Sequence, residues 1–155
     1  ILVIMKELLF NKYFQIALRL VIGIVFIWAS VYKLFNPADF AKAVVRYEML
    51  PIFLVNIVAI TLPYVEFLIG IFLVLGVYKK GASLLAVISL AVFTVALITA
   101  LARGLDIGCG CFSLEETSSK SDILIRIFQD LLMIAGALII YFNPENFKPE
   151  EQKEN

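Results

Sequence analysis

The stretch ASLLAVISLAVFTVALITALA, residues 82–102, contains no charged residue and only four hydroxyl side chains among its apolar residues. A helix needs about 20 consecutive apolar residues to cross the hydrocarbon core of a bilayer. Comparable apolar runs occupy residues 14–35, 53–78 and 123–142. The sequence therefore predicts an all-α fold, an integral membrane bundle of four spanning helices.

The composition of the whole chain agrees with this class. Hydrophobic residues make up 62% of the 155 residues and charged residues 17%, whereas soluble domains are about 45–50% apolar. The size fits one membrane domain over residues 1–155, with no internal repeat. The 13 basic and 13 acidic residues balance, and histidine is absent. Nothing suggests a nucleic-acid partner, and a histidine-based zinc site or a Ser/His/Asp triad is impossible within this chain.

The segments between the apolar runs predict the connections. Asn36-Pro37 ends the first run, and residues 38–50 mix apolar with charged side chains, which is typical of a short amphipathic helix lying at the membrane interface. Residues 1–10 are an amphipathic lead-in, too short to span and expected at the interface. Residues 79–81, Lys-Lys-Gly, are predicted to form a short polar hairpin connection. Residues 103–122 form a loop that contains the two cysteines.

The first span has a competing interpretation. Arg19 and Lys33 flank its core, as in a spanning helix whose charged ends reach back to the interface. A signal peptide is the alternative, since the uncharged core is short and Ala29-Ser30 offers small residues for cleavage. We expect this segment to be retained as a span.

Four spans place both termini on one side of the membrane, and the amphipathic helix and cysteine loop on the other. The basic residues divide almost evenly between the two sides, so the positive-inside rule decides little. We expect cytoplasmic termini, because Lys79-Lys80 lies in the shortest loop and because an exchange-active disulfide suits an oxidising compartment.

Cys109 and Cys111, the only cysteines, lie in the loop sequence Gly-Cys-Gly-Cys-Phe, residues 108–112. A disulfide across one glycine closes a tight and strained ring, and strain raises the reduction potential and favours exchange. Thiol–disulfide exchange is the preferred interpretation. Two alternatives stay open: a pair of small, packed apolar side chains, or a soft-metal site, for which two thiolates without histidine leave the ligand shell incomplete. We predict no metal.

Three cations are predicted on the loop side of the membrane, where they would stabilise a thiolate: Lys33, Arg103 and Arg126. For Lys33 and Arg103 an interfacial snorkelling charge is an equal alternative. Arg126 and Asp130 lie one turn apart in the fourth span and predict an ion pair in or near the bilayer.

Glu66 interrupts the second span, and a carboxylate there is costly enough to suggest a function. It either receives a proton released during thiol oxidation or pairs with a basic residue on another helix, and we favour the pairing. Five small residues are predicted to be helix-packing contacts: Gly23, Gly70, Gly76, Ala86 and Gly136.

Several of these motifs resemble a known family. The start of the first span at residues 19–26, together with Lys33-Leu-Phe-Asn-Pro37 and Phe40, resembles the opening of DoxX-like membrane proteins. Residues 63–66 with Gly70, and above all Cys109-Gly-Cys-Phe112, resemble the MauE branch of that family. Ser113 and Ala29-Ser30 depart from the pattern, which has glycine after the phenylalanine and Ala-Gly in the first span.

The resemblance implies a four-helix bundle in the cytoplasmic membrane of a bacterium. MauE proteins are linked to methylamine utilisation, where they are thought to work with a thioredoxin-like partner in forming the disulfides of methylamine dehydrogenase. We carry over the redox role and not the substrate.

These observations predict a multi-pass membrane protein that exchanges electrons between Cys109 and Cys111 and an extracytoplasmic thioredoxin-like partner. The alternative is a non-catalytic accessory subunit packed against a larger membrane complex, so enzymatic activity as a thiol–disulfide oxidoreductase stays open. A solute transporter has little support. No cofactor is predicted from a motif, but catalytic turnover requires a second electron donor or acceptor, for which a membrane quinone is a hypothesis.

Overall fold

The computed structural model describes residues 1–104 and 120–143. Within these ranges the backbone forms helices joined by short connections, with no strand. The helices are α1 (Leu2–Leu9), α2 (Lys12–Phe35), α3 (Pro37–Arg46), α4 (Ile52–Leu75), α5 (Lys79–Ala102) and α6 (Lys120–Tyr141). The predicted all-α fold is confirmed.

Four of these helices, α2, α4, α5 and α6, are long and apolar enough to cross a membrane. Their outward faces carry large exposed apolar side chains, such as Ile24, Trp28 and Leu132. A soluble protein rarely exposes so much contiguous apolar surface, whereas lipid is its natural solvent. The chain is a multi-pass membrane protein.

The four long helices form a closed ring in chain order, because each packs against the next and α6 returns to α2. The most extensive contacts join α2 to α4 and α5 to α6. All four helices contribute to the main apolar core, which contains Ile22, Phe26, Ile69, Leu73, Ala82, Ala86, Leu90, Ala137 and Ile140. The small residues at these positions let the helix backbones approach closely.

The contact between α2 and α4 depends on two glycines. A Cβ atom added to Gly70 would lie 2.8 Å from the Gly23 carbonyl oxygen, and one added to Gly23 would lie 2.9 Å from the Gly70 oxygen. Both distances are shorter than van der Waals contact allows, so only glycine fits here. The predicted packing role of Gly23 and Gly70 is confirmed, and this contact fixes the register of the two helices.

The chain reverses between α4 and α5 in three residues. Gly76 ends α4 in the left-handed conformation, with φ 74°, and Tyr78 also has a positive φ of 48°. The Arg19 guanidinium packs against Gly76 where a side chain would collide, and its Nε donates to the Leu73 carbonyl oxygen at 3.1 Å. Gly76 is therefore a helix cap at the Arg19 contact and not the helix-packing residue that was predicted.

This early reversal changes the start of the next helix. The hairpin connection predicted at residues 79–81 is wrong, because Lys79 begins α5 and all three residues lie in its first turn. The two left-handed residues have already turned the chain, so no further loop residue is needed.

Helix α3 is amphipathic, as predicted, and shorter than residues 38–50. Its buried side chains, Phe40 and Ala43, are followed by Tyr47 directly after the helix, at intervals of three and four residues. Arg46 lies on the exposed face. The buried face packs mainly against α4 and, to a lesser extent, α2, which brings Tyr47 into the bundle.

The lead-in helix α1 contributes no buried residue. It is joined to α2 through Gln15, whose Nε2 donates to the Leu9 carbonyl oxygen at 2.7 Å. Asn11 caps the start of α2, since its side-chain oxygen accepts a hydrogen bond from the Tyr13 amide at 3.1 Å. This cap explains why the helix begins at Lys12, two residues before the predicted start.

Candidate functional site

A buried ion pair joins α2 to α4 inside the bundle. The Lys33 ammonium donates to both carboxylate oxygens of Glu66, at 3.0 Å and 2.8 Å. The two side chains are only 2% and 4% exposed. Two unlike charges out of water are stable only when each is fully partnered, and the two-oxygen geometry supplies that partnering.

Aromatic rings complete the surroundings of the ammonium. Lys33 Nζ lies 4.4 Å from the centre of the Phe93 ring on α5 and 5.1 Å from that of Phe40 on α3. A cation over an aromatic face gains an attraction that is largest where water is excluded. The charge of Lys33 thus ties four elements together: α2, α3, α4 and α5.

A small cavity of about 50 Å³ lies beside the pair. Arg126, Gln129 and Asp130 of α6 line it together with Lys33 and Glu66. Charge–charge interactions link the Asp130 carboxylate to Arg126 and to Lys33, and Thr94 of α5 is a polar neighbour of Asp130. Because one water needs roughly 10–15 Å³, the cavity has room for water between these groups.

The arrangement is an internal polar cluster of two cations and two carboxylates, Lys33, Arg126, Glu66 and Asp130, which balance in charge. Such a cluster can hold helices in register, and it offers carboxylate oxygens that can bind and release a proton inside an apolar bundle.

The structure brings together four of the residues that the sequence singled out, and it changes the role of one. Glu66 pairs with a basic residue on another helix, as predicted. Lys33 is not a snorkelling charge, because its side chain turns inward to Glu66. Arg126 and Asp130 line the same cavity. Arg103 is exposed at the end of α5 and is not among the residues that line it.

Cys109 and Cys111 lie outside the residues that the structure describes, so their predicted role stays a prediction. The described residues of α5 and α6 that flank the cysteine segment share a buried cluster. Leu97 and Ala100 of α5 and Ile123 of α6 form a buried cluster with Tyr47. The last turns of α5 and the first turn of α6, which flank the segment, therefore lie at the end of the bundle that carries α3.

Three residues of the site were not singled out from the sequence as site residues: Phe40, Phe93 and Thr94. Phe93 lies in an apolar run, and Phe40 lies on the apolar side of an amphipathic helix, where an aromatic residue gives no signal of a contact with a buried charge. Thr94 donates to the Leu90 carbonyl oxygen at 2.8 Å, a common arrangement for threonine in an apolar helix. Only the tertiary packing distinguishes them from their neighbours.

These features define the class: a multi-pass α-helical membrane protein with a charge-balanced polar cluster in its core. The sequence matches the family model of methylamine utilisation protein MauE over residues 11–143. This match covers most of the chain and includes both cysteines. The chain belongs to the MauE family.

A curated relative agrees with this assignment. The methylamine utilization protein MauE of Paracoccus denitrificans is 32% identical over 125 residues, which are 80% of this chain and 66% of the relative. This chain thus spans just under two thirds of that relative's length. No match was found among solved structures.

Proposed function

We propose that this protein is a membrane thiol–disulfide exchange protein whose reactive groups are Cys109 and Cys111. The observation that carries the proposal is the Cys-Gly-Cys motif, which places two thiols one glycine apart in the segment between α5 and α6. A thiol pair that can close only a strained ring is poorly suited to stapling a fold and well suited to exchange.

The exchange step balances within the two proteins. A thiolate of the reduced pair attacks the partner's disulfide, forming a mixed disulfide and releasing one partner thiolate. The second cysteine then attacks the mixed disulfide and releases the other partner thiolate. Two electrons and two protons pass to the partner, and Cys109 and Cys111 become a disulfide. The reverse sequence oxidises the partner.

The partner we propose is a thioredoxin-like protein on the extracytoplasmic side. The relative's name assigns that protein to methylamine utilisation, and we infer an accessory role of the same kind here. We also propose that the chain is one membrane domain of the bacterial cytoplasmic membrane, with cytoplasmic termini and an extracytoplasmic cysteine segment. The motif around Lys33 and Pro37 supports a wider kinship with DoxX-like proteins.

The described residues near this segment support distinct tasks for the cations. Arg103 is exposed at the segment's first end and is free of the polar cluster, so it is the cation that we assign to thiolate stabilisation. Lys33, Glu66, Arg126 and Asp130 are assigned instead to holding the helices that carry the segment. Lys33 is committed to Glu66 by two hydrogen bonds, which leaves it little freedom to move toward a thiolate.

The test is the redox behaviour of the pair. The purified protein is equilibrated in graded glutathione buffers and alkylated with a mass tag, which counts free thiols. We expect a reversible two-electron transition between about −120 and −270 mV, the range of exchange catalysts. A Cys111→Ser or Cys109→Ser variant should trap a mixed disulfide with a thioredoxin that lacks its own resolving cysteine.

The second candidate, a non-catalytic accessory subunit of a larger membrane complex, predicts the opposite result. Thiols that stay unmodified in every buffer, or that never form a disulfide with each other, would establish that candidate in place of exchange. The double variant Cys109→Ser/Cys111→Ser then provides the control for complex assembly, which an accessory role without thiol chemistry would leave intact.

A further inference from the structure

A second space, which we call the α3–α5 cleft, lies between α3, α4 and α5. Its volume is about 360 Å³, and its walls are almost entirely apolar. Phe40, Tyr47 and Phe93 supply aromatic surface. Val92 and Ile88 of α5 also line the cleft and are 62% and 51% exposed, so the cleft opens on the outward, apolar face of the bundle. A molecule dissolved in the bilayer could enter directly.

Two polar atoms in this apolar space have no hydrogen-bond partner among the residues that the structure describes. The Tyr47 and Ser89 hydroxyls are buried, and neither pairs with any group in residues 1–104 or 120–143. Both residues line the cleft. The Tyr47 side chain is the stronger indicator, since the residue is only 8% exposed. A buried hydroxyl without a partner is unfavourable, and a ligand with an acceptor oxygen would satisfy it.

The chemistry of the lining restricts the ligand. Among the described residues, no charged side chain lines the cleft, so a phosphate or ammonium headgroup would lack a counter-charge and would lose its hydration. The aromatic side chains favour a flat ring, since stacked or edge-on ring pairs add to the burial of apolar area. The ligand is therefore neutral, lipophilic, ring-bearing and equipped with an acceptor oxygen.

We propose that the α3–α5 cleft binds a membrane quinone, with one quinone carbonyl accepting a hydrogen bond from Tyr47 and the apolar tail extending past Val92 toward the lipid. Burial and the charge of Asp130 raise the pKa of Tyr47 to about 12. The phenol therefore keeps its proton and stays a donor.

The place of Tyr47 connects this ligand to the thiol chemistry. Tyr47 packs against Leu97, Ala100 and Ile123 at the end of the bundle where the cysteine segment begins and ends. This electron-acceptor role rests on the proposed exchange function. The reduced Cys109–Cys111 pair would give two electrons and two protons to the quinone, yielding a disulfide and a quinol. The quinone is thus the second electron acceptor that turnover requires.

The binding test separates the cleft from the thiol chemistry. Decylubiquinone is titrated into the full chain in phosphatidylcholine nanodiscs, with decylbenzene as a probe that lacks the carbonyls. We expect saturable quinone binding to the wild type and equally to Cys109→Ser/Cys111→Ser. Tyr47→Phe should weaken quinone binding about threefold to tenfold, the value of one buried hydrogen bond, without weakening decylbenzene binding.

A matched pair of substitutions on α5 locates the site. Val92→Trp places a bulky ring at the open side of the cleft and should abolish binding, whereas Val95→Trp changes a residue that is 52% exposed and lies outside the cleft lining. Helical circular dichroism confirms that each variant is folded. If Val92→Trp and Val95→Trp bind alike, or decylbenzene binds as well as the quinone, the proposal is overturned and the cleft holds only lipid chains.

The electron-transfer role has its own readout, the reduction of decylubiquinone by the prereduced protein. Reduction that depends on both cysteines and is slowed by Val92→Trp supports the role. Binding at the cleft with no reduction above the double-serine variant overturns the electron-acceptor role. Failure of the thiol pair to exchange with thioredoxin would reject the exchange function while leaving the binding result unaffected, so the two proposals fail separately.

Discussion

Removal of one partner of the Lys33–Glu66 pair is the most direct test of the polar cluster. Glu66→Leu leaves the Lys33 ammonium without its partner, on a side chain that is 2% exposed, and Lys33→Met leaves the Glu66 carboxylate on a side chain that is 4% exposed. Breaking a buried ion pair in this way costs about 3–5 kcal/mol of stability, whereas replacing both partners by apolar side chains is often neutral or stabilising. The double variant should therefore be more stable than either single variant.

The position of each charged residue along its helix predicts which of the two single variants is less stable. Lys33 lies two residues before the end of α2 at Phe35, so its long side chain can turn outward once Glu66 is gone. Glu66 lies nine residues before the end of α4 at Leu75, about 13 Å at 1.5 Å per residue, and has a short side chain. We expect Glu66→Leu to lower the free energy of unfolding by about 3 kcal/mol and Lys33→Met to lower it by about 5 kcal/mol.

The assay is unfolding in mixed detergent–SDS micelles, followed by helical circular dichroism. The control is the exposed Lys42–Asp39 pair, with an Nζ–Oδ1 distance of 3.2 Å and side chains that are 72% and 46% exposed. Asp39→Ala should change stability by less than about 1 kcal/mol. The reasoning fails if either single variant of the buried pair stays within about 1 kcal/mol of the wild type, or if the double variant is as unstable as the singles.

Three further predictions concern other parts of the bundle. Gly70→Val should destabilise the protein by about 1–3 kcal/mol through overpacking, because its Cβ would lie 2.8 Å from the Gly23 oxygen. The control is Gly81→Ala, whose Cβ would meet no described atom within 4 Å. This variant should be neutral or stabilising in the same SDS unfolding assay. Asn11→Ala removes the cap of α2 and should cost about 1 kcal/mol by the same measurement, and an unchanged midpoint would refute the cap. The Tyr47 pKa, raised to about 12, means that the folded state holds this proton more tightly than the unfolded chain, whose phenol titrates near pH 10. The stability gained is complete below about pH 10 and is lost as the pH rises to about 12. Tyr47→Phe should remove that part of the alkaline loss in a pH series of unfolding curves.

The membrane fold could be predicted because it depends on the length of the apolar runs, which is read directly from the sequence. A run of apolar residues long enough to cross a bilayer must bury its backbone hydrogen bonds in a helix. The helix boundaries depend on finer chemistry. The hairpin prediction at Lys79-Lys80 failed because the chain turns earlier, at Gly76 and Tyr78, and Tyr78 is a residue that rarely adopts positive φ and gives no turn signal.

Of the buried ion pair, the sequence predicted Glu66 as a paired residue and did not identify its partner. A carboxylate in the second span pointed to Glu66, since its cost there demands a partner. The sequence did not identify Lys33 as the partner of Glu66, because a lysine near the end of a span can extend outward to the interface or inward to the bundle, and the sequence supports both equally. The register of α2 against α4, set by the contact of Gly23 with Gly70, places Lys33 beside Glu66. The register between two helices is a property of the tertiary structure. The α3–α5 cleft escaped prediction for the same reason, since the sequence does not show that α3 returns Tyr47 to the bundle.

Phe93 lies between the polar cluster and the α3–α5 cleft. It lines the small cavity beside Lys33 and Glu66, and it also lines the α3–α5 cleft. Phe40 has a similar double position, because it faces the Lys33 ammonium and forms part of the cleft wall. The same two rings therefore complete the surroundings of a buried charge and shape the proposed quinone site. Since packed side chains transmit displacement rather than absorb it, loss of the ion pair must disturb the cleft as well as the stability of the bundle. The charge cluster thus shapes the cleft without having to contact a ligand in it.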